Sequence, residues 1–295
     1  MVEHLRVAAN GLDFHVLADG ARDAPPVLLL HGFPEGAAGW RPTMAALDGL
    51  RVYAPDLRGY PCSDRPRRGY DVFTLTDDVR LLIEALGLDR PALVAHDWGG
   101  ALGWIFAHRF GPVISRLVVV NCTHPRTLVR AALTFRELQP LRIPWVLPFQ
   151  VPFAPEFLLT TRLGRAGLRL SFTLREGSRG RMDRALVDEL VGRFRSAADL
   201  GPPIDYYRAI LATLVFPLSR ARLYATYDRP IPVPVTLVWG LEDEALPSAV
   251  ARDSFRDAGC EVEWRPLEGI GHFVDLEAPS LLAAEIERAV LVKPA

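Results

Sequence analysis

Four short apolar runs, PVLLLHG (26–32), RVYAPDLRG (51–59), PALVAHD (91–97) and RLVVVNC (116–122), recur along the first 122 residues. Runs of this length, apolar on both alternating faces, predict strands buried on two sides. Helical stretches lie between the later ones. TLTDDVRLLIEALG (74–87) reads as a helix opened by a capping Thr74 and closed at Gly87. Strands that alternate with helices form a mostly parallel sheet with right-handed crossovers, the α/β class. Ahead of them, LRVAA (5–9) and LDFHVLA (12–18) flank Asn10-Gly11 and predict a hairpin.

The texture changes after Pro125. No comparable run appears until VPVTLVWG (233–240) and EVEWRPL (261–267), which precede a final helix over 278–291. The expected organisation is an α/β core, 1–124 with 231–295, carrying a helical cap over 125–230. That segment holds seventeen arginines against nine acidic residues, in a chain whose net charge is −1. A basic cap would help hold itself to an acidic body; arginines that simply solvate helix faces are the plainer account.

The near balance of charge points to neither nucleic acid nor an anionic membrane as partner. IPWVLPFQVPFAPEFLL (143–159) is broken by four prolines and makes a poor membrane helix. The start MVEHLRVAANGLDF shows no apolar leader, and Cys62, Cys122 and Cys260 form no CxxC pair. Reduced thiols in a cytoplasmic protein are therefore expected. The expected partner is a small hydrophobic substrate, with a homodimer left open.

Chemistry concentrates at three places. Ala95-His96-Asp97-Trp98-Gly99 has the form small-x-nucleophile-x-small between a strand and a helix, the pattern of a strained elbow that exposes its tip. A helix N-terminus there keeps the Asp97 carboxylate ionised; taken alone, the residue could serve only as a helix cap. Asp243 follows a strong strand in a G-x-x-D-x-x-x-P pattern, preferred over its neighbours Glu242 and Glu244, and His272 lies in a Gly-flanked loop before the last helix. In chain order these are nucleophile, acid and base. A serine that attacked a saturated carbon would leave an ether, whereas a carboxylate leaves an ester that activated water can hydrolyse. Asp97 thus points to epoxides or alkyl halides rather than to ordinary esters.

HGFPE (31–35), RGYPCSD (58–64), HDWGG (96–100), GLEDEALP (240–247) and GHF (271–273) together resemble the α/β-hydrolase fold, within it the epoxide hydrolases and their dehalogenase relatives with an aspartate nucleophile. The resemblance implies an oxyanion hole from the N–H groups of Phe33 and Trp98, and a cis Phe33–Pro34 bond. Pro61 departs from the glycine usual in that family. Two cap tyrosines usually protonate the opening epoxide. Tyr207 in DYYRA matches the second, with Tyr206 as competitor; the first position, five before Gln150, is Trp145. An indole donates but is no useful acid.

Epoxide hydrolysis to a diol is therefore the expected activity. Dehalogenation, with Trp98 and Trp145 holding the halide, is the alternative, and a non-catalytic small-molecule receptor comes third. Haloacids are not expected, because Trp98 and Ala101 stand where such enzymes carry arginines; Phe33 stands where haloalkane dehalogenases carry a side-chain donor. Asn121 sits where some relatives place the acid. No metal or organic cofactor is expected, as the seven histidines show no ligand spacing such as HExxH.

Overall fold

The structure is a computed structural model that describes residues 2–292. The last three residues of the expected core segment, 293–295, lie outside it. Strands β1 (Glu3–Ala9) and β2 (Leu12–Asp19) form the expected hairpin. Asn10 and Gly11 between them both take positive φ, 49° and 71°, as a two-residue hairpin turn of matching twist requires. The sheet continues through β3 (Pro26–Leu30), β4 (Arg51–Pro55), β5 (Ala92–His96), β6 (Arg116–Val120), β7 (Val235–Gly240) and β8 (Val262–Leu267). Its eight strands lie in the order β1-β2-β4-β3-β5-β6-β7-β8. From β4 to β8 every pairing is parallel; only those of β1 with β2 and β2 with β4 are antiparallel.

The strands are buried on both faces because each face carries a core. Leu28 and Leu30 of β3 join one hydrophobic cluster, while Val27 and Leu29 join the other, the two-residue alternation of a strand. Helix α1 (Val72–Ala85) and helix α2 (Asp97–Phe110) cover the first face. Helix α1 begins earlier than expected: Asp71, not Thr74, is its cap, accepting the N–H groups of Phe73 and Thr74 at 3.1 Å. The Thr74 hydroxyl donates to the Asp71 carboxylate at 2.7 Å, so the stronger acceptor takes the cap and the threonine supports it.

Residues 125–230 contain none of the eight strands and fold as helices, among them α3 (Pro125–Leu133), α4 (Arg162–Thr173), α5 (Ala197–Val215) and α6 (Pro217–Tyr227). Helix α7 (Pro279–Leu291) then packs Leu282 and Ile286 on the second face of the sheet. Ion pairs between the helical segment and the rest run in both directions. Arg130 and Arg136 reach Asp257 and Asp253 at 2.9 Å, while Arg41 and Arg65 of the body reach Glu189 and Asp199. Other arginines of the segment pair within it, as Arg208 does with Glu156 at 2.6 Å. A one-way attraction between a basic cap and an acidic body is not what the structure shows, because acids on both sides find the nearest guanidinium.

Candidate active site

Strand β5 ends at His96 and helix α2 begins at the next residue, so Asp97 makes the whole turn with φ at 47°. Such a conformation is costly for a residue with a Cβ and persists only where its surroundings impose it. Here they do so by closeness. A Cβ on Gly99 would lie 2.3 Å from the Leu30 carbonyl oxygen, and one on Gly32 would lie 2.5 Å from the Asp97 Cβ. The Phe33 N–H donates to Asp97 Oδ1 at 2.8 Å. The Trp98 N–H belongs to the first turn of α2, where backbone donors have no partner within the helix. The carboxylate keeps 22% of its side-chain surface open.

The imidazole of His272 faces that carboxylate. Its Nδ1 lies 2.8 Å from Asp243 Oδ2, and its Nε2 lies 3.7 Å from Asp97 Oδ2. The latter is too long for a direct hydrogen bond and short enough for one water to touch both atoms. Asp243 is buried, and its Oδ1 accepts the N–H groups of Ala245 and Leu246 at 2.8 and 2.9 Å. Asn121 donates from Nδ2 to Asp243 Oδ2 at 2.7 Å and accepts the Gly240 N–H at 2.8 Å. It therefore orients the acid and ties it to the end of β7.

Burial opposes charge on both Asp97 and His272 and loses. It pushes the His272 imidazole down, but the Asp243 and Asp97 carboxylates bring it up to about 9. It pushes the Asp97 carboxyl up, but the His272 and His96 imidazoles and the Phe33 N–H hold it at about 2.

Behind the elbow lies a buried group that sequence reasoning passed over. His96 Nε2 donates to the His272 carbonyl at 3.0 Å, and its Nδ1 lies 3.2 Å from Glu35 Oε2 and 3.6 Å from Asp275 Oδ1. Glu35 Oε2 also accepts the Gly32 N–H at 2.7 Å. Burial pushes the His96 imidazole down, and Glu35 and Asp275 bring it up to about 10. Burial and the Glu35 charge push the Asp275 carboxyl well up. One imidazolium thereby fastens the Gly32 loop and the His272 loop to the elbow. The signal was present: Glu35 and His96 stand within the quoted HGFPE and HDWGG.

From above, α5 brings in Tyr207, 8% exposed, with its ring edge-on to Trp98, Phe149 and Phe33 at 4.9, 5.1 and 5.8 Å between centroids. Burial and the Asp97 charge push its phenol up, against interactions with the Trp98 and Trp145 side chains. Tyr206 is committed elsewhere, donating to the Arg58 carbonyl at 2.7 Å. The structure thus brings Asp97, His272, Asp243, Phe33, Trp98, Tyr207 and Trp145 together. It adds Arg175, whose guanidinium lies 4.3 Å from the Trp145 ring centroid.

A family model described as the alpha/beta hydrolase fold matches residues 25–279. The chain belongs to the α/β-hydrolase fold family. This α/β-hydrolase is 34% identical to epoxide hydrolase 4 of Mus musculus over 247 residues, 81% of the chain and 66% of that protein. It is 33% identical to epoxide hydrolase 3 of Xenopus tropicalis over 256 residues, 84% of the chain and 66% of that protein. The chain thus spans just under two thirds of the length of these curated relatives. Among solved structures it resembles the epoxide hydrolase VrEH1 from Vigna radiata at a TM-score of 0.81, with 27% identity and 98% of both chains covered. Cfl2 from Burkholderia cenocepacia matches at a TM-score of 0.85, also at 27% identity, covering 97% of this chain and 95% of that one. Among the described residues no helix is long and apolar enough to cross a membrane.

Proposed function

We propose that this α/β-hydrolase is an epoxide hydrolase acting through a covalent ester on Asp97, with residues 125–230 as its cap. The observation that carries the reading is the carboxylate at the elbow tip, charged and open, 3.7 Å from an imidazole already paired with an acid. Oδ1, held by the Phe33 N–H, stays as the carbonyl oxygen, and Oδ2 attacks the less hindered epoxide carbon. The ring C–O bond breaks, and the Tyr207 hydroxyl gives its proton to the alkoxide. His272 then takes a proton from water, whose oxygen attacks the Asp97 carbonyl carbon. The Phe33 and Trp98 N–H groups hold the resulting oxyanion. Collapse releases the second alcohol, protonated by His272, and the proton left on the Asp97 carboxyl returns to the Tyr207 phenolate through solvent. The aromatic walls of Phe33, Trp98 and Phe149 suit a small hydrophobic substrate. Hydrolysis of a carbon–halogen bond is the second reading, favoured by the Trp145 indole where a second acid would serve an epoxide.

Styrene oxide and 1-bromobutane separate the two. Diol release from the first is expected; halide release from the second alone would favour dehalogenation, and saturable binding without product would mark a receptor. Asp97→Asn is expected to lower turnover by about 10³-fold or more. His272→Gln should accumulate an ester adduct visible by mass spectrometry. An inactive His272→Gln protein carrying no adduct would remove the two-step scheme.

A further inference from the structure

Arg175 follows helix α4 and is pinned to the catalytic loop, since its carbonyl accepts the His272 N–H at 3.1 Å. Its guanidinium turns over the Trp145 ring at 4.3 Å and, among the described residues, makes a single hydrogen bond, from Nη1 to the Ser171 carbonyl at 3.3 Å. Three other enclosed arginines are neutralised, Arg58 by Asp78 at 2.6 Å, Arg208 by Glu156 at 2.6 Å and Arg109 by Asp77 at 3.0 Å. No ion pair among the described residues involves Arg175. The carboxylates that act on it most, Asp243 and Asp97, do not bond to it. Asp243 is already bonded by His272, Asn121, Ala245 and Leu246, and Asp97 faces His272.

A guanidinium has five N–H donors in a planar fork suited to a carboxylate. Here it rests on an indole that fixes its plane, within electrostatic reach of the Tyr207 phenol and the Asp97 carboxylate. An enclosed cation with unused donors at the rim of a reacting centre is matched by an anion that arrives with the substrate.

We propose that Arg175 is a substrate-binding residue that selects epoxides bearing a carboxylate beside the ring. The proposal rests on the epoxide reading above. It differs from haloacid recognition by arginines following the nucleophile, positions occupied here by Trp98 and Ala101.

The test compares trans-3-phenylglycidate with trans-β-methylstyrene oxide, which carries a methyl group where the first carries its carboxylate. In the unmodified enzyme kcat/KM is expected to favour the glycidate at least tenfold. Arg175→Gln should lower that ratio at least tenfold, through KM for the glycidate, and Arg175→Lys should restore part of it. A ratio near one in the unmodified enzyme, or equal losses on both substrates in Arg175→Gln, overturns the proposal. If neither oxirane is opened, the epoxide reading fails and binding of phenylacetate decides the present one. Saturable quenching of tryptophan fluorescence that Arg175→Gln abolishes supports an anion site, and absence of quenching overturns it.

Discussion

Asp97 carries its charge where burial alone would remove it, and it does so because His272 answers it. The dependence is mutual: the imidazole is brought up to about 9 by Asp243 first and by Asp97 with it. Removing the facing charge with Asp97→Asn should therefore lower the His272 midpoint, measured by NMR titration of the ring protons; an unmoved midpoint would show that Asp243 alone sustains it. The sign for stability follows. A histidine whose folded midpoint exceeds its unfolded value near 6.5 stabilises the fold fully below about pH 6.5 and loses that contribution as pH rises through 9. In the proposed cycle the ester on Asp97 would remove the same carboxylate charge, so the His272 midpoint should fall before water is activated. That Asp97, Asp243 and His272 come together was legible in the sequence, since Asp97 and His272 lie in turns with small residues close by and Asp243 follows a strand in a G-x-x-D-x-x-x-P pattern. Asp275 and Arg175 were not legible: their meaning lies in contacts with residues 179 and 30 positions away, which no local pattern encodes, and Glu35, though inside HGFPE, gains its role only from His96, 61 positions on.

Elements meet at this site backbone to backbone, and glycine is what lets them. A Cβ on Gly271 would lie 1.9 Å from the Arg175 carbonyl oxygen, and one on Gly240 would lie 2.1 Å from the Gly271 carbonyl oxygen. The end of β7, the His272 loop and the segment after α4 are thus stacked with no room for a methyl group. Gly271→Ala should push the His272 loop away from the cap, destabilising the protein by about 1–3 kcal/mol. Its turnover should fall at least tenfold while KM changes less, because the damage falls on His272, the proposed base, rather than on the aromatic walls. Steady-state kinetics with a melting curve check this, and a fall confined to KM would contradict it. At this scale the sheet was readable because strands buried on both faces are written as continuous apolar runs. The segment 125–160 was not resolved into elements: its prolines break it into short turns, and Phe135, Glu137, Leu138 and Phe153 take positive φ without glycine. The start of α1 was misplaced because Asp71 and Thr74 are both good caps, and only the folded chain shows Asp71 accepting the Phe73 and Thr74 N–H groups.

In the whole molecule the helical segment leaves the core beside His124 and returns beside Arg229, and one side chain of α2 holds both ends. His108 Nδ1 donates to the Arg229 carbonyl at 2.5 Å, and its Nε2 lies 2.9 Å from His124 Nε2. His124 Nδ1 accepts the Arg126 N–H at 3.1 Å, so its proton must sit on Nε2, and His108 must accept there and donate from Nδ1. Each ring is thus held in one neutral tautomer. Burial pushes both below their ordinary range; for His124 the neighbouring His108, Arg126 and Arg130 push the same way against Asp257, and for His108 the Arg229 carbonyl opposes. A histidine depressed by folding leaves the unfolded chain to take up protons first, so stability is lost as pH falls below about 6.5. Mixed-sign ion pairs across the seam add little that salt would remove, which leaves acid as the condition that should loosen the helical segment. His124→Asn keeps an acceptor for the Arg126 N–H and a donor for His108 but cannot titrate. Its melting temperature should fall less steeply between pH 7 and pH 5 than that of the unmodified protein, and cleavage by a protease near residue 125 should rise less. Parallel slopes in the two proteins would place the acid sensitivity elsewhere in the fold.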